Sequence, residues 1–428
     1  MKILFLTPEL PVPADSGAKV RAYHLLRYLA EQHTITLVTF ASPQSLVSPE
    51  LQTLCSEVYT VSATRSRLRD MAAFATSWFT RRPFAIERWA SVAMERLVSQ
   101  LVFQAAANAV PFDLVHADQL VMAQFAEPLL LPRLIDMHYS ASHVFDLLSS
   151  ERSGLRRWHY RREAVLLRRY ERSVAETFEA VTLTSTADQA GLHAQGVSDD
   201  KLTVIPLAVD AEAERVVQRS SASQTIINLA SLHWQPNVDG VCWFGKEVLP
   251  LVRRALPDAE LLICGAQPPP VVYACAERTP GIIVTGYLPD PYPQLERSAV
   301  LIVPQHTGGA QPVKILEGLA RGIPVVATGH SCVGVDVQAG THLLVADTPS
   351  AFADAIILLL REPEFASRLA STGREHVLAA HNWRSRYPLI EAVYTQLRAP
   401  RTQQPLDMVD YALIEPYGRS QDPGLRIQ

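Results

Sequence analysis

The residues best equipped for chemistry lie between Val303 and Thr328, in VPQHTGGAQPVKILEGLARGIPVVAT. A strand-length apolar run ends at Pro304 and gives way to the small-residue loop Thr307-Gly308-Gly309-Ala310, after which Pro312 suits the first position of a helix. Free amides at such a helix start, with the positive end of its dipole, make an anion site. Lys314 adds a full positive charge just inside the helix, and Glu317, three residues later, shares its face. Gly308, Gly309, Ala310 and Lys314 are thus expected to hold phosphate, and Glu317 to accept hydrogen bonds from ribose hydroxyls. A solvated Lys–Glu pair worth ~0.2–0.5 kcal/mol is the plainer account of that spacing. The glycine pair, the proline start and the scarcity of lysine weigh for the site: only Lys2, Lys19, Lys201, Lys246 and Lys314 occur among 39 basic residues.

Other loops carry weaker signals. In PELPVPADSGAKVR, Gly17 allows close backbone approach to a ligand, and Asp15 or Ser16 can cap a helix starting near Ala18. The loop is not G-x-G-x-x-G, so a dinucleotide fingerprint is absent. His138 follows the apolar run Arg133–Met137 directly, where an imidazole can orient a hydroxyl or move a proton; a hydrogen-bonded bystander is the commoner fate of a lone histidine. In LASLHWQPNVDG, Pro236 suits a first helical turn with Gln235 near the cap, and Trp243 and Phe244 read as core. Gly286 and Tyr287 open GYLPDPY, a turn able to hold a flat base or simply a proline-rich bend.

The elements that must position these residues alternate between strand-length apolar runs and helical patterns. Lys2–Thr7, Thr34–Phe40, Asp113–His116, Arg133–Met137, Ala180–Thr184 and Leu202–Ile205 are expected strands of a first half. Thr225–Leu229, Ala259–Cys264, Gly281–Thr285, Val300–Val303, Pro324–Ala327 and Leu343–Ala346 are those of a second. Six strands in each half, interleaved with helices, predict an α/β protein of two Rossmann-like domains. We place an N-terminal domain at 1–208, a C-terminal domain at 209–382, a helix at 383–398 crossing back to the first domain, and a loose tail at 399–428. AEAERVVQRSSASQ reads as a polar linker.

Composition narrows the class. The 428 residues are 48% hydrophobic and 19% charged, with 39 basic against 43 acidic residues, so real cores are expected and a general nucleic-acid binder is not. Five scattered cysteines show neither zinc spacing nor a disulfide framework, which fits a reducing compartment. The start MKILFLTPELP is too short an apolar run for a signal peptide, and no run approaches the ~20 residues that span a bilayer. A cytoplasmic protein is expected, either soluble or at the inner face of the membrane. For the latter the candidate contact is the arginine-rich helix 152–172, which also reads as a solvated face of internal Arg–Glu pairs. RSRLRDMAAFATSWFTRRPF, with basic ends around an apolar middle, is a second candidate.

The chain resembles the retaining GT-B glycosyltransferases of family 4, the "group 1" transferases, from MKILFLTPELPVPADSGAKVR to about Asn382. GGAQPVKILEGLARGIPVVAT resembles the family's E-x7-E segment and the strand after it. LHWQPNVDGVCWFGKEVLPLVRRALPDAELLICG is similar to the branch acting in exopolysaccharide-type sugar transfer, and PDAELLICG and VIPLAVD sit where the family keeps such strings. Two positions depart from the pattern: Gly309 stands where the first signature glutamate belongs, and Ser231 where the family has an arginine.

The resemblance implies two domains across a cleft. The second half would bind a UDP- or GDP-sugar as substrate, with Glu317 on the ribose, and the first a saccharide or lipid-linked acceptor. His138 would stand near the reacting sugar and Gly17 near the donor phosphates. No D-x-D occurs, so the helix end and Lys314 would stabilise the leaving diphosphate without a metal, and no further cofactor is expected. His138, Lys314 and Glu317 are the expected catalytic set. Two other readings compete: a nucleotide-sugar epimerase or hydrolase, with His306 and His138 as acid/base candidates, and a non-catalytic sugar-binding subunit, suggested by Gly309 and Ser231.

Overall fold

The structure, a computed structural model, describes residues 1–14, 16–42, 44–62, 66–150, 152–211, 214–220, 222–307, 313–398 and 425–427. The chain divides into two units, one of Met1–Ile205 with Tyr387–Gln428 and one of Pro206–Arg386.

The first unit is built on strands β1 (Lys2–Thr7), β2 (Thr34–Ala41), β3 (Glu57–Ser62), β4 (Leu114–Asp118), β5 (Arg133–Asp136), β6 (Ala180–Leu183) and β7 (Leu202–Val204). Their order across the sheet is β3-β2-β1-β4-β5-β6-β7, all parallel. The strand run reverses between β1 and β4, where Ile3 lies opposite Leu114, and such a switch point opens a crevice beyond the strand ends. β1 reads as a continuous apolar run because both its faces are buried; Ile3, Leu4, Phe5 and Leu6 have no exposed surface.

Strand β3 was not among the expected strands. Its sequence EVYTVS buries only Val58 and Val61, so neither an apolar run nor a clean alternation marks it. Leu425–Ile427 pairs antiparallel with β3, so the sheet has eight strands rather than six. That pairing also changes the picture of the tail: residues 399–424 lie outside the described residues, while these three are part of a sheet.

The second unit repeats the plan with β8 (Thr225–Leu229), β9 (Glu260–Cys264), β10 (Ile282–Gly286), β11 (Ser298–Val303), β12 (Val325–Ala327) and β13 (Leu344–Val345), ordered β10-β9-β8-β11-β12-β13. Its switch point lies between β8 and β11. Ala211 and Val217 of the segment read as a linker join the core of this unit, as do Leu207 and Val209 just before it, and Val217 N–H donates to the Arg321 carbonyl. The segment's apolar residues are spaced too irregularly to signal burial. Helix Trp383–Arg398 starts in the second unit and continues in the first, where Tyr387 stacks on Tyr28 with centroids 4.1 Å apart and Ile390, Val393 and Tyr394 are buried.

Candidate active site

In the first unit the expected site residue His138 stands two residues past β5. It adopts a left-handed backbone, φ 60°, unusual for a residue with a side chain. The conformation is held from both ends: its carbonyl accepts the Thr184 hydroxyl, and Nε2 lies 2.7 Å from Asp118 Oδ1. Asp118 closes β4, next to β1 at the switch point, and its other oxygen accepts the Thr7 hydroxyl at 2.8 Å. Asp136, the last residue of β5, is gripped by Arg21 through Nε at 2.6 Å and a second guanidinium nitrogen at 3.1 Å; the third nitrogen donates to the Ile205 carbonyl. Asp136 Oδ2 stands 3.8 Å from His138 Nε2.

All of these groups are buried. Burial would raise the Asp136 pKa, but Arg21, with His138 adjacent, holds this carboxyl far below the usual range. Behind it, burial pushes His116 down to about 4, so it is neutral where Nδ1 meets the Tyr394 hydroxyl. With Nε2 of His138 committed to Asp118, Nδ1 is the ring nitrogen left for another partner. Asp118, Asp136 and His138 also bring three potential ligand atoms within 4.8 Å of one another. Arg21 and Thr7 already occupy the two carboxylates, so a cation there would have to displace a buried guanidinium.

Gly17 is the first residue of helix Gly17–Ala30, capped by Ser16, whose hydroxyl accepts Lys19 N–H. Arg21 is one turn further along, which ties the glycine loop to the His138 cluster. Thr7, Arg21, Asp118 and Asp136 were missed by sequence reasoning. Each is a polar residue at a strand end or on a core helix, and only the parallel ordering of β1, β4 and β5 brings them together. A clue was available in the carboxylates closing VHAD and LID beside His138.

In the second unit, Lys314 and Glu317 lie on helix Val313–Ala320, and Lys314 Nζ donates to Glu317 Oε2 at 2.8 Å. Arg321 stands 3.7 Å from the same oxygen and 2.8 Å from Glu214. Burial would raise the Glu317 pKa, but Lys314 and Arg321 hold it below the ordinary value. The pair is therefore one end of a four-residue charge chain, Lys314–Glu317–Arg321–Glu214, not an isolated surface contact. Thr307 Oγ1, before the glycine loop, is buried and finds no hydrogen-bond partner among the described residues. Gly308, Gly309 and Ala310, with Pro312, lie outside the described residues.

Side chains tie the neighbouring strand ends together. Gln305 donates to Asn237, Asn237 to the Ser231 carbonyl at 2.8 Å, and Thr328 to the Gln305 carbonyl. Helix Gln235–Trp243 lies so close to β11 that a Cβ on Gly240 would fall 2.5 Å from the Pro304 carbonyl oxygen. Gly286 and the half-exposed Tyr287 are at the end of β10, the outer strand and two removed from the switch point, so the sheet order sets them apart from the Lys314 helix. His306 is exposed and edge-on to Trp243, with centroids 4.3 Å apart.

Residues 16–213 match the family Glycosyltransferase Family 4, and residues 223–362 match Glycosyl transferases group 1. No curated protein matches the chain at significance. Among solved structures, sucrose-phosphate synthase from Thermosynechococcus elongatus is similar with TM-score 0.67 at 16% identity, covering 93% of this chain and 99% of that one. Anabaena HepE, in complex with UDP and glucose, gives TM-score 0.63 at 14% identity over 92% and 100% of the two chains. A TarM variant from S. aureus, in complex with fondaparinux, alpha-GlcNAc-glycerol and UDP, gives 0.65 at 11% identity over 93% and 100%.

Proposed function

Since the chain is a GT-B glycosyltransferase, a family 4 domain followed by a group 1 domain, we propose that it is a retaining, metal-independent enzyme that moves a sugar from a UDP- or GDP-sugar to a saccharide or lipid-linked acceptor in cell-surface polysaccharide synthesis. UDP bound to HepE and to TarM, and the glycoside bound to TarM, support that donor and acceptor class.

The observation that carries the reading is the Asp118–His138 pair at the first switch point, backed by Arg21 and Asp136. Breaking the anomeric C–O bond gives an oxocarbenium-like sugar and a diphosphate of growing negative charge. His138, held by Asp118, orients a sugar or acceptor hydroxyl through Nδ1. Lys314, with two ammonium protons beyond the one given to Glu317, meets the leaving phosphate, aided by the amides of the loop before its helix. Glu317, kept ionised by Lys314 and Arg321, accepts ribose hydroxyls. In same-face attack the leaving phosphate oxygen takes the acceptor's proton, so no protein nucleophile is required.

The test is incubation with a panel of UDP-, GDP- and ADP-sugars, with and without saccharide acceptors. Nucleotide release that depends on acceptor, with the donor's anomeric configuration kept in the product, is expected. Conversion of the donor without acceptor would favour the epimerase or hydrolase reading instead. A chain that takes no thermal shift from any of these nucleotides would be a non-catalytic subunit.

A further inference from the structure

Helix Arg67–Thr80 is covered on almost no side. Of its fourteen residues only Ser77 is buried, pinned through its carbonyl by Arg162 at 2.8 Å and through its hydroxyl, which donates to the Arg82 carbonyl at 2.7 Å. Helices of this length are marginal in water unless an apolar face is packed. This one has two apolar stripes. Phe74 and Trp78 turn toward helix Gly154–Thr177, where Trp78 stacks on Trp158 with centroids 5.3 Å apart and Phe74 meets His159. Leu68, Met71, Ala75 and Phe79, at spacings of three and four, form the other stripe; Leu68 is 78%, Met71 68% and Phe79 88% exposed. Leu155, one turn before Trp158 on the neighbouring helix, is 86% exposed.

Charge identifies what fits this face. Arg67, Arg69, Arg81, Arg156, Arg157 and Arg161 are all exposed on the same two helices and their ends. Among the described residues, the nearby carboxylates Asp70, Glu87 and Glu163 are engaged, with Arg88 at 2.9 Å, Arg82 at 3.6 Å and Arg162 at 2.9 Å. A second copy pairing isologously through this face would bring like charges together, so the occupant is apolar in the middle and anionic at the rim. No helix among the described residues is long and apolar enough to cross a membrane, so the match is a surface contact, not a span.

We propose that helix Arg67–Thr80, with the first turns of helix Gly154–Thr177, docks on an anionic lipid bilayer. Leu68, Met71, Phe79 and Leu155 enter the headgroup–acyl boundary, Trp158 lies at headgroup depth, and the arginines meet lipid phosphates. This rests on the exposed face alone and holds whichever sugar the enzyme transfers.

The experiment is co-sedimentation of the full chain with vesicles of pure phosphatidylcholine and of equimolar phosphatidylcholine and phosphatidylglycerol. Binding to the anionic vesicles, weakened by added salt, is expected. Phe79→Asp and the pair Arg156→Ser with Arg157→Ser should each lower the partition coefficient at least about tenfold. Circular dichroism and melting temperature should stay those of the parent, which keeps a lipid defect distinct from misfolding. Equal sedimentation with both vesicle types, or Phe79→Asp binding like the parent, would overturn the proposal. So would a dimer by light scattering that Phe79→Asp dissociates, because the face would then belong to a second copy.

Discussion

Asp118 Oδ1 lies 2.7 Å from Nε2 of His138, and both residues are buried at the strand ends where the first sheet reverses. The bond sets which ring nitrogen carries the proton. Asp118→Asn, which can present its NH2 to the ring, is expected to lower kcat by about 100-fold with little change in donor KM. Its pH–rate profile should shift as well, which a purely structural loss would not cause. Steady-state kinetics across pH check this, with His138→Ala, expected to lose at least as much, as the reference.

Removing Arg21 leaves Asp136 buried without its guanidinium. Breaking a buried pair in this way costs about 3–5 kcal/mol. Arg21→Met should therefore lower the urea midpoint steeply, and adding Asp136→Asn should restore part of the loss because the orphaned charge is gone. A double variant no more stable than Arg21→Met would contradict the pairing.

Acid should weaken the first unit in two stages. His116 has a folded pKa of about 4 against an ordinary value near 6.5, so the unfolded chain takes up its proton first. Stability is full above about pH 6.5 and falls as pH drops toward 4, by about 3 kcal/mol at most from this group. Asp136, held far below the carboxylate range by Arg21, acts lower: its contribution is present above about pH 4 and is lost as pH falls further through its folded pKa. Denaturant titrations at stepped pH should show the upper stage reduced in His116→Gln and the lower stage unaffected there.

Lys314→Ala should raise donor KM and lower kcat together, since its charge acts on bound and departing phosphate alike. Glu317→Ala releases both Lys314 and Arg321 and should chiefly weaken nucleotide binding. For the parent, nucleotide at ~100 times its Kd should stabilise by about 2.7 kcal/mol, so a thermal-shift series with UDP and GDP reads the loss directly. Unchanged kinetics and shifts in both variants would remove this helix from the donor site.

Gly240→Ala would drive a methyl group against the Pro304 carbonyl oxygen, where a Cβ has only 2.5 Å. A backbone atom cannot swing aside, so a loss of about 1–3 kcal/mol is expected, together with a higher donor KM as the loop after β11 moves. Melting temperature and kinetics of the single variant test both.

All twelve expected strands are present, with Leu343–Ala346 shortened to Leu344–Val345; most were legible because burial on both faces makes an apolar run, while β7, β10 and β13 are only partly buried. Strand β3 escaped because it lies toward the sheet edge and buries two residues of six. The packing of Leu207, Val209, Ala211 and Val217 on the second unit escaped because they are held by a surface made elsewhere in the chain. At the candidate sites, His138, Lys314 and Glu317 stood out by type and position. Their partners did not, since Arg21 and Asp136 are 115 residues apart and Asp118 and His138 are 20 apart.

What the amino-acid order determined alone is local: which stretches bury both faces, where helices can begin, and that Glu317 follows Lys314 on one helical face. Backbone periodicity and side-chain chemistry suffice for that. The tertiary structure decided which strand ends become neighbours, and hence that Arg21 neutralises Asp136 while Asp118 holds the ring of His138. Electrostatic pairing depends on distance in space and on exclusion of water, and neither exists until the sheets have formed.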